Sequence, residues 1–61
     1  MKYKIEYDFM NTDMLTTDGK FHHTYLDNNG QGFTIEEAEE LAYELIRSNA
    51  GYNRNIEIVE M

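Results

Sequence analysis

The sequence predicts a small α+β domain in which one helix packs on one face of a three-stranded antiparallel sheet. Three observations predict it. Residues Lys2 to Met10 alternate strictly between apolar and charged side chains, residues 35–46 repeat apolar side chains at helical spacing, and residues 55–61 return to a β-rich pattern around Ile56-Glu57-Ile58-Val59. Alternation with period two marks a half-buried strand, and a 3.6-residue period marks a helix with one buried stripe.

In the first strand Tyr3, Ile5, Tyr7 and Phe9 point one way and Lys2, Lys4, Glu6 and Asp8 the other. Asn11-Thr12-Asp13 breaks the pattern, and apolar residues resume out of phase at Met14, which predicts a bulge or bend. Asp18-Gly19 then offers the positive-φ pair that a two-residue type I′ turn needs. Such a turn pairs Thr16 with Phe21 and Met14 with His23, carries Tyr25 onto the same face, and starts a second strand over Lys20 to Leu26.

Asp27-Asn28-Asn29-Gly30-Gln31-Gly32 reads as a loop. A helix follows, with Thr34 as its N-cap and Glu37, three residues on, completing a capping box. Ile35, Ala38, Leu41, Ala42, Leu45 and Ile46 form its buried stripe, and it is expected to end near Asn49, with Gly51 left-handed beyond. The third strand runs from Asn55 to Met61. A crossover through the helix places the third strand beside the first, giving sheet order 2-1-3. The predicted core is Tyr3, Ile5, Tyr7, Phe9, Phe21, Tyr25, Leu41, Leu45, Ile46, Ile56 and Ile58. Met10, Leu26, Val59 and Met61 go to the other sheet face, and two open edges leave self-association as a homodimer an open alternative.

Sixty-one residues with 41% hydrophobic content fit one domain over residues 1–61. The chain has no Cys and no Pro, so neither a disulfide framework nor a thiolate zinc site staples the small core. No apolar run approaches the roughly 18 residues of a membrane span, and no signal segment is expected. Twelve acidic residues against five basic ones give a net charge of −7, which disfavours direct contact with nucleic acid or an anionic membrane.

Candidate chemistry is sparse. His22 and His23 are adjacent in a strand and point to opposite faces, which does not suit one shared metal ion. Asp27-x-Asn29-x-Gln31-Gly32 resembles the first half of a calcium loop, but Ala38 stands where its bidentate Glu belongs. There is a single Ser, Ser48, and no phosphate-binding Gly-rich loop. The chain is therefore expected to be no enzyme and to hold no metal or cofactor.

Charge placement is the remaining anomaly. Residues 1–35 carry three lysines against five acids, whereas residues 36–61 carry two arginines against seven glutamates. Glu36, Glu40 and Glu44 recur every four residues opposite the buried stripe, with Tyr43 and Arg47 among them and Glu37 and Glu39 on the flanks. Like charges at this spacing cost a helix a few tenths of a kcal/mol per pair. They rise about 6 Å per step, against about 3.4 Å between phosphates of one DNA strand, so the rod imitates part of a phosphate backbone. Glu36, Glu37, Glu39, Glu40, Tyr43 and Glu44 are the candidate partner-binding residues, with Tyr43 the type that anchors interfaces. The competing reading is an ordinary solvated face built from a good helix former.

A small, acidic, Cys-free and Pro-free domain with a short sheet and one Glu-rich helix resembles phage- or prophage-encoded inhibitors of bacterial defence and repair enzymes. Nearest in kind are the small anti-CRISPR proteins that occupy nucleic-acid channels of the RNA-guided effector nuclease. The layout around Asp18-Gly19-Lys20 and the aromatic strand Phe21 to Tyr25 is also similar to uracil-DNA glycosylase inhibitors of Bacillus phages. The resemblance implies a cytoplasmic inhibitor in a bacterial host cell whose partner is a basic nucleic-acid-binding protein. It carries over no site residue. The alternative is a structural or adaptor module that accepts a partner strand at an open sheet edge.

Overall fold

The computed structural model describes residues 1–48 and 52–61. Its elements follow in the order β1 (Tyr3–Phe9), β2 (His22–Leu26), α1 (Ile35–Ser48) and β3 (Asn53–Glu60). β1 pairs antiparallel with both neighbours, so the sheet order is β2-β1-β3 and the fold is the predicted α+β arrangement. β1 takes the centre because its alternation can serve one buried face while both edges are hydrogen-bonded. α1 lies over β1 and β3 and does not approach β2.

Ile5 and Ala38 are the hydrophobic side chains fully buried among the described residues. Ile5 stands opposite Leu26 on one side and Ile58 on the other, so it is enclosed by two strands and roofed by the helix. Tyr3, Tyr7, Leu41, Ala42, Leu45, Ile56 and Ile58 are half-buried around this pair.

The β1–β2 connection is not the tight Asp18-Gly19 hairpin. Phe9 pairs with His22, so residues 10–21 leave the sheet, and the expected Thr16–Phe21 and Met14–His23 pairs do not form. Gly19 is left-handed with φ 72°, but Asp18 is not, and a type I′ turn needs both. Local side-chain bonds shape the loop instead. Asn11 Oδ1 accepts the Asp13 N–H at 2.9 Å, Asp13 Oδ1 accepts the Leu15 N–H at 2.9 Å, and Asp18 Oδ1 accepts the Lys20 N–H at 2.9 Å. The Asp13 carbonyl accepts N–H groups from both Thr16 and Thr17. Met14 and Leu15 stand at 92% and 95% exposure on the loop.

The longer loop re-registers β2 against β1 and turns its faces over, so that His22, Thr24 and Leu26 share the inner face in place of Phe21, His23 and Tyr25. Tyr25 therefore pairs with Glu6 on the outer face and is exposed, while Leu26 moves to the inner face opposite Ile5. Phe21 precedes β2 and lies half-buried beneath the Arg54 guanidinium, 3.5 Å from the ring centroid. Phe9 and Ile46 also leave the predicted core. Phe9 ends β1 beside His22 and Asn53, and Ile46 sits about 80° around the helix from buried Ala38.

β3 begins at Asn53, earlier than predicted, and stops at Glu60. The bend expected after Met10 is present, and a second irregularity that the sequence did not suggest lies in β3. The chain bends away at Asn11, and a register shift falls in β3, where left-handed Asn55 (φ 55°) lies opposite the step from Glu6 to Asp8.

Residues 27–32 loop out before Phe33 returns to bridge Tyr3 through two backbone hydrogen bonds of 2.8 and 2.9 Å. α1 then starts as expected. The Thr34 N–H donates to Glu37 Oε1 at 3.0 Å, and the Glu37 N–H donates to Thr34 Oγ1 at 3.2 Å, a reciprocal capping box. At its other end the Leu45 carbonyl accepts from Asn53 Nδ2 at 3.0 Å, which ties α1 to β3. The expected helix end at Asn49 and the left-handed Gly51 lie outside the described residues.

Candidate functional site

All six predicted side chains, Glu36, Glu37, Glu39, Glu40, Tyr43 and Glu44, are exposed on α1, a helix that holds no lysine. They do not all line one groove. Glu37, Glu40 and Glu44 gather on the flank facing the β2 side, where with Phe33 and Leu41 they line a groove of about 350 Å³. Glu36, Glu39 and Tyr43 stand outside that groove.

The carboxylates differ in what they already hold. Glu37 is engaged in the capping box, and the Thr34 N–H, then its hydroxyl, hold this carboxyl below the usual range, with the Lys2 charge adding to the effect. Arg47 reaches Glu44 at 3.8 Å, and its guanidinium lies 5.5 Å from the Tyr43 ring centroid. Both members of that ion pair are more than half exposed, so water screens it and it adds little. Glu36, Glu39 and Glu40 form no salt bridge among the described residues.

The two histidines face opposite ways, as alternation requires: His22 opposes Phe9, and His23 opposes Asp8. His22 Nε2 meets Asp18 Oδ2 at 2.7 Å. On the outer face His23 spans two carboxylates of β1, with Nδ1 3.0 Å from Asp8 Oδ1 and Nε2 3.1 Å from Glu6 Oε1. Only the imidazolium can donate from both nitrogens. Asp8 first, then Glu6, therefore pushes the His23 pKa upward. Glu6 is held low by Lys4 at 3.2 Å and then by His23, and Asp8 by the Asn55 amide at 2.8 Å and then by His23. The trio is a hydrogen-bonded bridge, each nitrogen serving its own carboxylate, and the donors do not converge on one point. Sequence reading missed it. Glu6 and Asp8 were visible as an i, i+2 acidic pair, but their meeting with His23 depends on the β1–β2 register.

The loop that resembles half a calcium site closes on itself. Asn28 and Asn29 are left-handed, Gly32 N–H donates to the Asp27 carbonyl at 2.7 Å, and Asn28 Nδ2 donates to the Gly32 carbonyl at 3.2 Å. No helix among the described residues is long and apolar enough to cross a membrane. No family model, curated protein or solved structure matches the chain.

Proposed function

We propose that this chain is a non-enzymatic, phage- or prophage-encoded inhibitor acting in the bacterial cytoplasm. In this reading α1 docks in the basic nucleic-acid-binding surface of a CRISPR effector nuclease. The observation that carries the proposal is one 14-residue helix exposing five glutamates and Tyr43 with no lysine among them. Carboxylates so arranged fit arginine and lysine side chains that otherwise hold phosphates, and complementary fields speed the encounter. Tyr43 supplies buried area at the centre of the contact.

The test is target-DNA cleavage by a purified effector nuclease loaded with guide RNA. Wild-type protein is expected to inhibit, with potency falling steeply as salt rises. Glu36→Lys, Glu40→Lys and Glu44→Lys together are expected to abolish inhibition while the far-UV spectrum stays helical, because all three side chains are exposed. Inhibition by this triple variant at wild-type potency overturns the proposal. A parallel uracil-excision assay separates the effector nuclease from a uracil-DNA glycosylase as target. The adaptor reading draws its support from the order β2-β1-β3, which leaves the outer edges of β2 and β3 without a partner strand among the described residues.

A further inference from the structure

α1 covers β1 and β3 and leaves the inner side of β2 open. Leu26 lies on that side opposite fully buried Ile5, yet keeps 37% of its surface exposed. Phe33 comes next along the same edge, opposite Tyr3. Two concavities meet at Phe33. One runs toward the helix, with Leu41 as floor and Glu37, Glu40 and Glu44 as wall; the other lies at the β2 edge between Phe33, Leu26 and Tyr25 and the polar side chains of Asp27, Asn28 and Asn29. The result is a trough beside β2 with Leu26, Phe33 and Leu41 as its apolar patches, a row of carboxylates along the helix side and the polar 27–29 loop at its other end.

No lysine or arginine lines either concavity. Arg47 is engaged on the outer surface by Glu44 and Tyr43, and Glu37 is held by Thr34. Glu40 is without a cationic partner among the described residues, and Glu44 has only a long, exposed one. A wholly apolar occupant would desolvate these carboxylates without pairing them, which is costly. A second copy of this chain brings a further −7 and its own carboxylates against them. Nucleic acid is repelled for the same reason. A segment that is apolar on one side and cationic on the other meets both demands at once. From Glu37 to Glu44 the wall rises about 10 Å, so about two turns of a helical peptide span it.

We infer that this trough receives a short amphipathic basic segment of a partner protein. Its apolar side chains rest on Leu26, Phe33 and Leu41, and its lysines or arginines face Glu40 and Glu44. The inference rests on the acidic-face reading above, and it moves the centre of contact from Glu36, Glu39 and Tyr43 to the helix flank above β2.

The experiment is an amide chemical-shift titration of the isotope-labelled protein with a synthetic peptide. The probe is an amphipathic leucine–lysine peptide of about twelve residues; a scrambled peptide of equal composition and charge serves as comparison. Saturable binding is expected, with the largest shifts at Leu26, Phe33, Leu41 and Glu44, and the scrambled peptide is expected to bind at least about tenfold more weakly. Glu40→Gln with Glu44→Gln is expected to weaken binding about tenfold, against less than about twofold for Glu36→Gln with Glu39→Gln. Leu26→Gln supplies an apolar counterpart, and the exposed glutamate variants decide the matter if it folds poorly. Equal binding of both peptides with shifts centred on Glu36, Glu39 and Tyr43 overturns the trough and leaves the acidic-face reading standing. Absence of binding by either peptide removes the trough and the charge reading together. Trough shifts that appear when the protein alone is concentrated make a second copy the occupant and overturn the inference.

Discussion

Replacing Gly32 with alanine probes how the 27–32 loop is locked against the sheet. Gly32 has φ +78°, and a Cβ there would stand 2.7 Å from Lys2 Cβ and 2.8 Å from Met61 Sδ. The left-handed conformation costs an L-residue about 1–2 kcal/mol. The Met61 thioether ends a flexible side chain and can swing away, but Lys2 Cβ is fixed to the backbone that leads into β1. Relief therefore requires the loop to back off from the sheet, and overpacking of this kind costs about 1–3 kcal/mol more. The total, about 2–5 kcal/mol, is set against a stability of about 3–9 kcal/mol for a chain of this length. Gly30→Ala is the matched control, since Gly30 is also left-handed (φ +86°) but has nothing within 4 Å of the added carbon. It is expected to lose only the conformational part. At about 4–8 °C per kcal/mol, thermal melts followed by circular dichroism should separate the two variants clearly, Gly32→Ala lying lower. Urea midpoints should fall in the same order at unchanged slope. If the two variants melt together, Lys2 and Met61 do not press on Gly32, and the steric half of the reasoning is wrong.

Ile5→Ala is expected to cost about 2–5 kcal/mol and to lower the melting temperature by at least about 8 °C, because Ile5 is fully buried between two strands and the helix; Tyr43→Ala on the exposed helix face should stay within about 0.5 kcal/mol of wild type. The His23 bridge predicts a stability plateau with two limbs. The raised His23 pKa contributes stability present below its usual 6.5 and lost as pH rises through the folded value, whereas the lowered Glu6 and Asp8 contribute stability present above their usual 4.5 and 3.8 and lost as pH falls. His23→Gln should remove the alkaline limb from a plot of melting temperature against pH, and persistence of that limb assigns it to another group. Met14→Ser with Leu15→Ser should leave the melting temperature unchanged and reduce binding of an apolar dye, since both side chains stand almost wholly in solvent.

The parts of the molecule legible in the sequence are those whose physics is local. The Thr34–Glu37 capping box needs two side chains three residues apart on one turn, and both of its hydrogen bonds are present. The exposure of Glu36, Glu37, Glu39, Glu40, Tyr43 and Glu44 followed from their place opposite the apolar stripe. Their division into a groove-lining set and an outer set did not, because it depends on where α1 crosses the sheet. Helical periodicity says which face is buried and nothing about which strands lie beneath it.

The β1–β2 register marks the same boundary. Asp18-Gly19 is a turn signal, but Asn11, Asp13, Thr17 and Asp18 offer the backbone competing partners, and those bonds open a loop over residues 10–21. The resulting register exchanges the faces of Tyr25 and Leu26 and brings His23 between Glu6 and Asp8. Alternation, capping and crossover geometry thus determined from sequence alone that this chain is a β-β-α-β domain with β1 central and one acidic helix. Tertiary structure alone decided which residues meet across it, because register and helix placement are settled by packing and hydrogen bonds between segments far apart in the chain. The open trough beside β2 and the charged bridge on the outer face both arise at that level.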